Sequence, residues 1–130
     1  MESLSFDTTF LIDLQRERRV GKGPAHSFLD RHRDALAYLP VTAYGEFAEG
    51  FSDHGDPVFL ATVESFEVLP ITPAVAELYG RWARKLRAQG QMIGANDLWI
   101  GATAGAAGFP LVTRNVEHFS RLPGLVVRAY

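Results

Sequence analysis

What most constrains this chain is its alternation of short apolar runs with longer amphipathic ones. Residues 4–6, 37–40, 66–69, 111–113 and 125–128 read as strands, each bounded by polar or turn-forming residues. Between them lie segments with apolar residues at helical spacing. In 9–18, Phe10, Leu11 and Leu14 share one face, and Gly21, Gly23 and Pro24 then break the pattern. Further helices are predicted over 25–33, 42–51, 58–64 and 73–88. Another opens at Asn96 or a neighbour and runs through Ala107, and a helical turn covers 115–119. Thr42 is expected to cap the third helix, Thr72 to cap the one starting at Pro73, and Gly90 to stop it. Strands alternating with helices demand a parallel sheet covered on both faces, an α/β architecture. Ligand sites in such sheets form outside the carboxyl ends of the strands. Asp7 directly follows the first strand and Asn115 the fourth, while Glu46 and Asp97 fall near the starts of helices facing the same edge.

The 130 residues, 47% of them hydrophobic and 22% charged, suit a single domain over 1–130 with one core. No repeat or linker divides it. The chain has no cysteine, so disulfides and thiolate metal sites are excluded and a reducing cytosol is the expected compartment. Residues 1–7 lack a basic region followed by a long apolar run, so no signal peptide is expected, and no apolar stretch is long enough for a membrane span. Net charge is −2, so any attraction for nucleic acid must come from local patches. Two segments offer them: Arg16, Arg18, Arg19, Lys22, Arg31 and Arg33 in one, and Arg81, Arg84, Lys85 and Arg87 in the other. Either can equally be a solvated helix face.

Among the 15 acidic residues, Asp7 stands out because it ends an apolar strand and precedes Thr8-Thr9. A helix N-cap explains it as readily as a ligand role does, and the two are compatible. Asp97, before Leu98-Trp99-Ile100, fits either a ligand or ordinary first-turn macrodipole chemistry. Spacing alone does not separate Glu46 from Glu49, one turn later. Converging carboxylates repel one another, and a hard divalent cation with oxygen ligands removes that penalty.

Other chemistries find no support. The histidines, His26, His32, His54 and His118, form no zinc spacing; His118, before Phe119, reads as a packing or helix-end residue. No nucleophile elbow or phosphate loop is present. Gly94, Gly101, Gly105 and Gly108 with neighbouring alanines imply close helix-to-sheet packing. Tyr79, Trp82 and Trp99 read as core or interface residues. A phospho-receiver would need paired acids after the first strand and a lysine after the last, whereas only Asp7 stands there and the two lysines are Lys22 and Lys85.

Four segments, in order, resemble a known family. They are Phe6-Asp7-Thr8-Thr9-Phe10-Leu11-Ile12-Asp13, Val41-Thr42-Ala43-Tyr44-Gly45-Glu46-Phe47, Ile93-Gly94-Ala95-Asn96-Asp97-Leu98-Trp99-Ile100-Gly101-Ala102-Thr103-Ala104, and Leu111-Val112-Thr113-Arg114-Asn115-Val116-Glu117-His118-Phe119. Together they resemble the PIN domain, in particular its VapC-like toxins. The resemblance implies a three-layer α/β/α sandwich with a central parallel sheet, and an endoribonuclease using magnesium or manganese. It implies that Asp7, Glu46 and Asp97 bind the metal, which separates Glu46 from Glu49. The fourth position, acidic in many relatives, is Asn115 here, so one resident ion is expected; its amide adds no charge. The resemblance further implies an RNA substrate, a homodimer, and a small antitoxin whose C-terminal segment lies in a groove near the helices over 9–18 and 42–51 and directs an arginine at the acids. Thr9 is a candidate ligand or phosphate contact, with helix-start hydrogen bonding the alternative. Arg114 is a candidate phosphate contact, with a plain surface role the alternative. Within the same family, a nuclease of RNA processing with no antitoxin is the other expectation, and a non-cutting doubly wound binding module lies outside it.

Overall fold

The computed structural model describes all residues, 1–130. Five parallel strands form one sheet in the order β3-β2-β1-β4-β5. They are β1 (Ser3–Phe6), β2 (Leu36–Pro40), β3 (Glu67–Leu69), β4 (Leu111–Val112) and β5 (Val127–Arg128). Seven helices connect them: α1 (Thr8–Val20), α2 (Pro24–Arg31), α3 (Val41–Glu49), α4 (Pro57–Val63), α5 (Pro73–Ala88), α6 (Ala95–Ala107) and α7 (Val116–Phe119).

From β1 the chain moves outward through β2 to β3, then returns to place β4 on the other side of β1. That reversal opens a crevice at the carboxyl ends of β1 and β4, where open α/β sheets bind ligands. The register sets Phe6 beside Val112, so the next residues, Asp7 and Thr113, emerge side by side.

The central strand β1 is buried on both faces, with Leu4 and Phe6 on one and Ser5 on the other, all at 1% exposure or less. Phe6 meets Phe10 of α1 at 4.5 Å between ring centroids, and Phe28 of α2 and Phe66 edge-on at 6.0 and 5.3 Å. Each buried Phe contributes roughly 1.5–3 kcal/mol of transfer free energy. These rings fix where α1 leaves the sheet.

Most predicted elements are present, with instructive shifts. Thr42 does not cap α3. The helix begins at Val41 directly after Pro40, which still pairs with Leu69 in the sheet, so no loop separates strand from helix. Glu46 therefore lies in the second turn rather than near the helix start. Thr72 does cap α5, accepting from the Val75 amide at 3.3 Å. Two glycines of α6 approach elements other than the sheet. A Cβ on Gly105 would come 2.7 Å from Trp82 of α5, and one on Gly101 would come 2.3 Å from Leu122, beyond α7. Close approach of α5 explains Gly105 and that of the segment between α7 and β5 explains Gly101, rather than helix-to-sheet packing.

Candidate active site

Asp7 is the first residue after β1 and has 2% exposure. It caps α1, with Oδ1 accepting from the Phe10 amide at 3.2 Å and from the Thr9 hydroxyl at 2.7 Å. Oδ2 accepts from the Thr113 hydroxyl at 2.5 Å. Thr113 in turn accepts from the Asn115 amide at 2.9 Å, which ties the β4–α7 turn to the same carboxylate. Thr9 thus spends its hydroxyl on the helix start, the local alternative to a phosphate contact.

Glu46 approaches from α3. The Thr8 hydroxyl donates to Oε1 at 2.5 Å and the Asn96 amide to Oε2 at 3.1 Å. Glu46 is half-buried, whereas Glu49 faces solvent, so the fold aims only the former at the crevice. Asp97 occupies the first turn of α6, half-buried, with His118 Nδ1 at 3.7 Å from its Oδ2.

The electrostatics join these acids in series. Burial pushes the Asp7 pKa up, only partly offset by its three hydrogen bonds, and the Asp97 charge adds to the rise. Burial and the nearby Glu46 carboxylate likewise raise Asp97, against a lowering by His118. No lysine or arginine pairs with any of the three. Nor do three carboxylates already close into an ion-sized cage. The donor set nevertheless fits a hard divalent cation. It is all oxygen, it is electrostatically strained without a counter-charge, and each carboxylate keeps free lone pairs after its hydrogen bonds. Asn115 lies at the edge of this crevice, exposed, with no side-chain hydrogen bond to α7.

Four participants are not evident from residue type and spacing. Thr113 follows β4 as Asp7 follows β1, and that equivalence is the signal that points to it. Thr8 and Asn96 are each hidden by the local plausibility of a helix start. His118, read as a packing or helix-end residue, does lie in the last turn of α7, and its ring also stands beside Asp97 while Phe119 fills the core position. The other histidines do have structural partners: His26 on Glu17, His32 on Phe28, His54 on the Ala48 carbonyl. Tyr79 and Trp99 stack on each other at 3.9 Å, and Arg81, Arg84, Lys85 and Arg87 form the solvated face of α5.

The model of the PIN domain matches residues 5–125, nearly the whole chain. The chain belongs to the PIN-domain family. Among curated PIN relatives, ribonuclease VapC1 of Haemophilus influenzae strain R2866 is 47% identical over 122 residues, covering 92% of this chain and 91% of that protein. Ribonuclease VapC1 of Methanocaldococcus jannaschii is 32% identical over 127 residues, covering 95% and 84%. Among solved structures, VapBC-1 from nontypeable Haemophilus influenzae aligns over 98% of this chain and 97% of that one, with a TM-score of 0.70 and 26% identity. VapBC2 from Rickettsia felis, solved bound to a promoter DNA fragment, aligns over 98% of both chains with a TM-score of 0.87 and 19% identity. The latter likeness speaks for the PIN fold alone.

Proposed function

We propose that this PIN domain is a divalent-metal-dependent endoribonuclease of the VapC kind, the toxin of a toxin–antitoxin pair. The observation that carries the reading is the set of three carboxylates, Asp7, Glu46 and Asp97, gathered at the β1/β4 crevice with no lysine or arginine paired to any of them and only the His118 ring beside Asp97. The VapC ribonucleases that share up to 47% of its residues support it.

Asp7, Asp97 and Glu46 are the residues that would hold magnesium or manganese. Such an ion, when bound, stabilises charge developing on a phosphodiester and lowers the pKa of water. The chain's own part is to present oxygen ligands at fixed positions. Thr9, Thr113 and the Phe10 amide hold Asp7, and Thr8 and Asn96 hold Glu46. Asn115 leaves the fourth corner neutral, so a single resident ion is proposed, with a second arriving alongside RNA phosphate. Manganese-soaked crystals with two strongly occupied sites in the absence of RNA would overturn the single-ion assignment.

Helices α1 and α3 are joined at the site by the Thr8–Glu46 bond, and the surface beside them is the proposed seat of an antitoxin segment carrying an arginine. The VapBC complexes among the structural neighbours support such a partner. The toxin is proposed to be a homodimer. No helix is long and apolar enough to cross a membrane.

The deciding experiment incubates purified protein with RNA and magnesium or manganese and maps the new ends. Internal cleavage, abolished by EDTA and by Asp7→Asn, is expected. Metal-independent cleavage, or none with either ion, would contradict the reading. Growth arrest on expression, relieved by a neighbouring small gene, would separate a toxin from a PIN nuclease of RNA processing.

A further inference from the structure

Asp13 lies on α1, about 9 Å of helix rise beyond Asp7 at roughly 1.5 Å per residue. Its exposure is only 4%. A buried carboxylate must be compensated by charge and hydrogen bonds. Three side chains supply them. Arg16 Nη2 donates to Oδ1 at 2.5 Å, Arg114 Nη1 reaches both oxygens at 3.1 Å, and the Tyr130 hydroxyl donates to Oδ2 at 2.6 Å. Burial and the Asp13 carboxylate push the Tyr130 phenol up, so it remains a donor.

The arrangement does more than satisfy Asp13. Both arginine side chains stay about half exposed, at 53% and 54%. Each spends a single nitrogen on Asp13, and a guanidinium carries five N–H donors in a planar fork. The unspent donors face solvent. Two positive charges against one negative leave the cluster with net charge about +1 on a chain of net −2. Other basic side chains are committed elsewhere: Arg18 to the Ala61 carbonyl, Lys22 to Asp30, Arg121 to Glu117, Arg128 to Glu2.

The cluster also adjoins the acidic site. Arg114 follows Thr113, the donor to Asp7, and its own amide lies 3.5 Å from the Thr9 hydroxyl, which donates to Asp7. It lines an open groove of about 220 Å³ with Asn115, His118 and Glu117, whose carboxylate is paired with Arg121. We propose that Arg16 and Arg114, pre-set by the buried Asp13, form a phosphate-binding subsite for the RNA strand beside the point of cutting. This rests on the ribonuclease reading above. The carboxylate fixes two forks in advance, so less side-chain freedom is lost when a phosphate docks. An overall acidic protein thereby holds a polyanion next to three carboxylates.

The test measures binding of a short, unstructured, fluorescein-labelled single-stranded RNA by anisotropy over a salt series. Asp7→Asn is the parent, so that no cleavage intervenes. Each phosphate contact to a single strand contributes about 0.7 to the slope of log K against log salt. Arg16→Gln and Arg114→Gln are expected to reduce the slope by about 0.7 each and to weaken binding, whereas Arg114→Lys keeps the slope. Arg84→Gln, on the outer face of α5, is expected to leave it unchanged. Thermal melting reports any loosening of the β4–α7 turn in Arg114→Gln; Arg16→Gln, exposed on its own helix, carries the test in that event. An unchanged slope in both Gln variants of a parent that binds RNA would overturn the subsite alone. A parent with no affinity for RNA would overturn the subsite and the ribonuclease reading together.

Discussion

The Thr113 hydroxyl donates to Asp7 Oδ2 at 2.5 Å, joining residues 106 apart where β4 and β1 end side by side. It is one of the bonds that resist the upward push of burial on the Asp7 pKa. Thr113→Val removes the donor and leaves a buried carboxylate oxygen short of a partner, a cost of about 1–3 kcal/mol. We expect RNA cleavage to fall about tenfold or more and the melting temperature to drop. Thr113→Ser, which keeps the hydroxyl, is expected to retain most of both. Equal loss in the Val and Ser variants would show that packing rather than the hydrogen bond matters.

Thr8 and Asn96 act on Glu46 in the same manner, from two helices. Freed of them, the Glu46 side chain has its rotamers back and the ligand set loses its order. Thr8→Val and Asn96→Ala are each expected to weaken metal binding about tenfold, as loss of a partner behind a metal ligand does. Isothermal titration with manganese measures this without any turnover. Unaltered affinity in both would remove these residues from the site.

Much of this was legible in the sequence, for physical reasons that differ by residue. Periodicity placed Asp7 and Asp97 correctly because strand ends and first turns are marked locally by apolar runs. The strand order, which brings Thr113 to Asp7, is set by long-range pairing that no local pattern encodes. Glu46 was indistinct from Glu49 by spacing because residues three apart share a helix face; only the packing of α3 against α1 and α6 directs Glu46 to the crevice and leaves Glu49 exposed. His118 does stand at a helix end, in the last turn of α7, but its place beside Asp97 follows from Phe119 taking the buried position, which depends on tertiary packing.

Asp97 gives a prediction with a definite sign. Its folded pKa lies above 3.8, so the metal-free fold binds protons more readily than the unfolded chain. Its contribution to stability is therefore full below pH 3.8 and is lost as pH rises through the folded value. Asp97→Asn should melt higher than the parent in EDTA near neutral pH, with the difference closing toward pH 4. Magnesium or manganese should raise the melting temperature of the parent and have little effect on Asp97→Asn. A lower melting temperature for the variant in EDTA at neutral pH would contradict the electrostatic account.

Glu17 shows the opposite sign. Its carboxylate accepts from the amides of Gly23, Ala25 and His26 and from the His26 ring, supplying from α1 the cap that Gly23 cannot give α2. Burial raises its pKa, but these bonds overcome that and pull it down to about 2 from 4.5. A depressed carboxylate stabilises the fold fully above its unfolded value and loses that contribution as pH falls through the folded one. Glu17→Gln still offers one acceptor oxygen but no charge, and charge-assisted hydrogen bonds are worth roughly 1.5–3 kcal/mol. The variant should melt below the parent at pH 6, and the gap should narrow between pH 4.5 and pH 2, the interval set by the two values. Because Glu17 lies outside the carboxylate crevice, the metal affinity of the folded variant should equal that of the parent. A gap independent of pH would mean that Glu17 acts through its bulk against Gly23, where a Cβ would already stand 2.9 Å from its carboxyl, rather than through its charge.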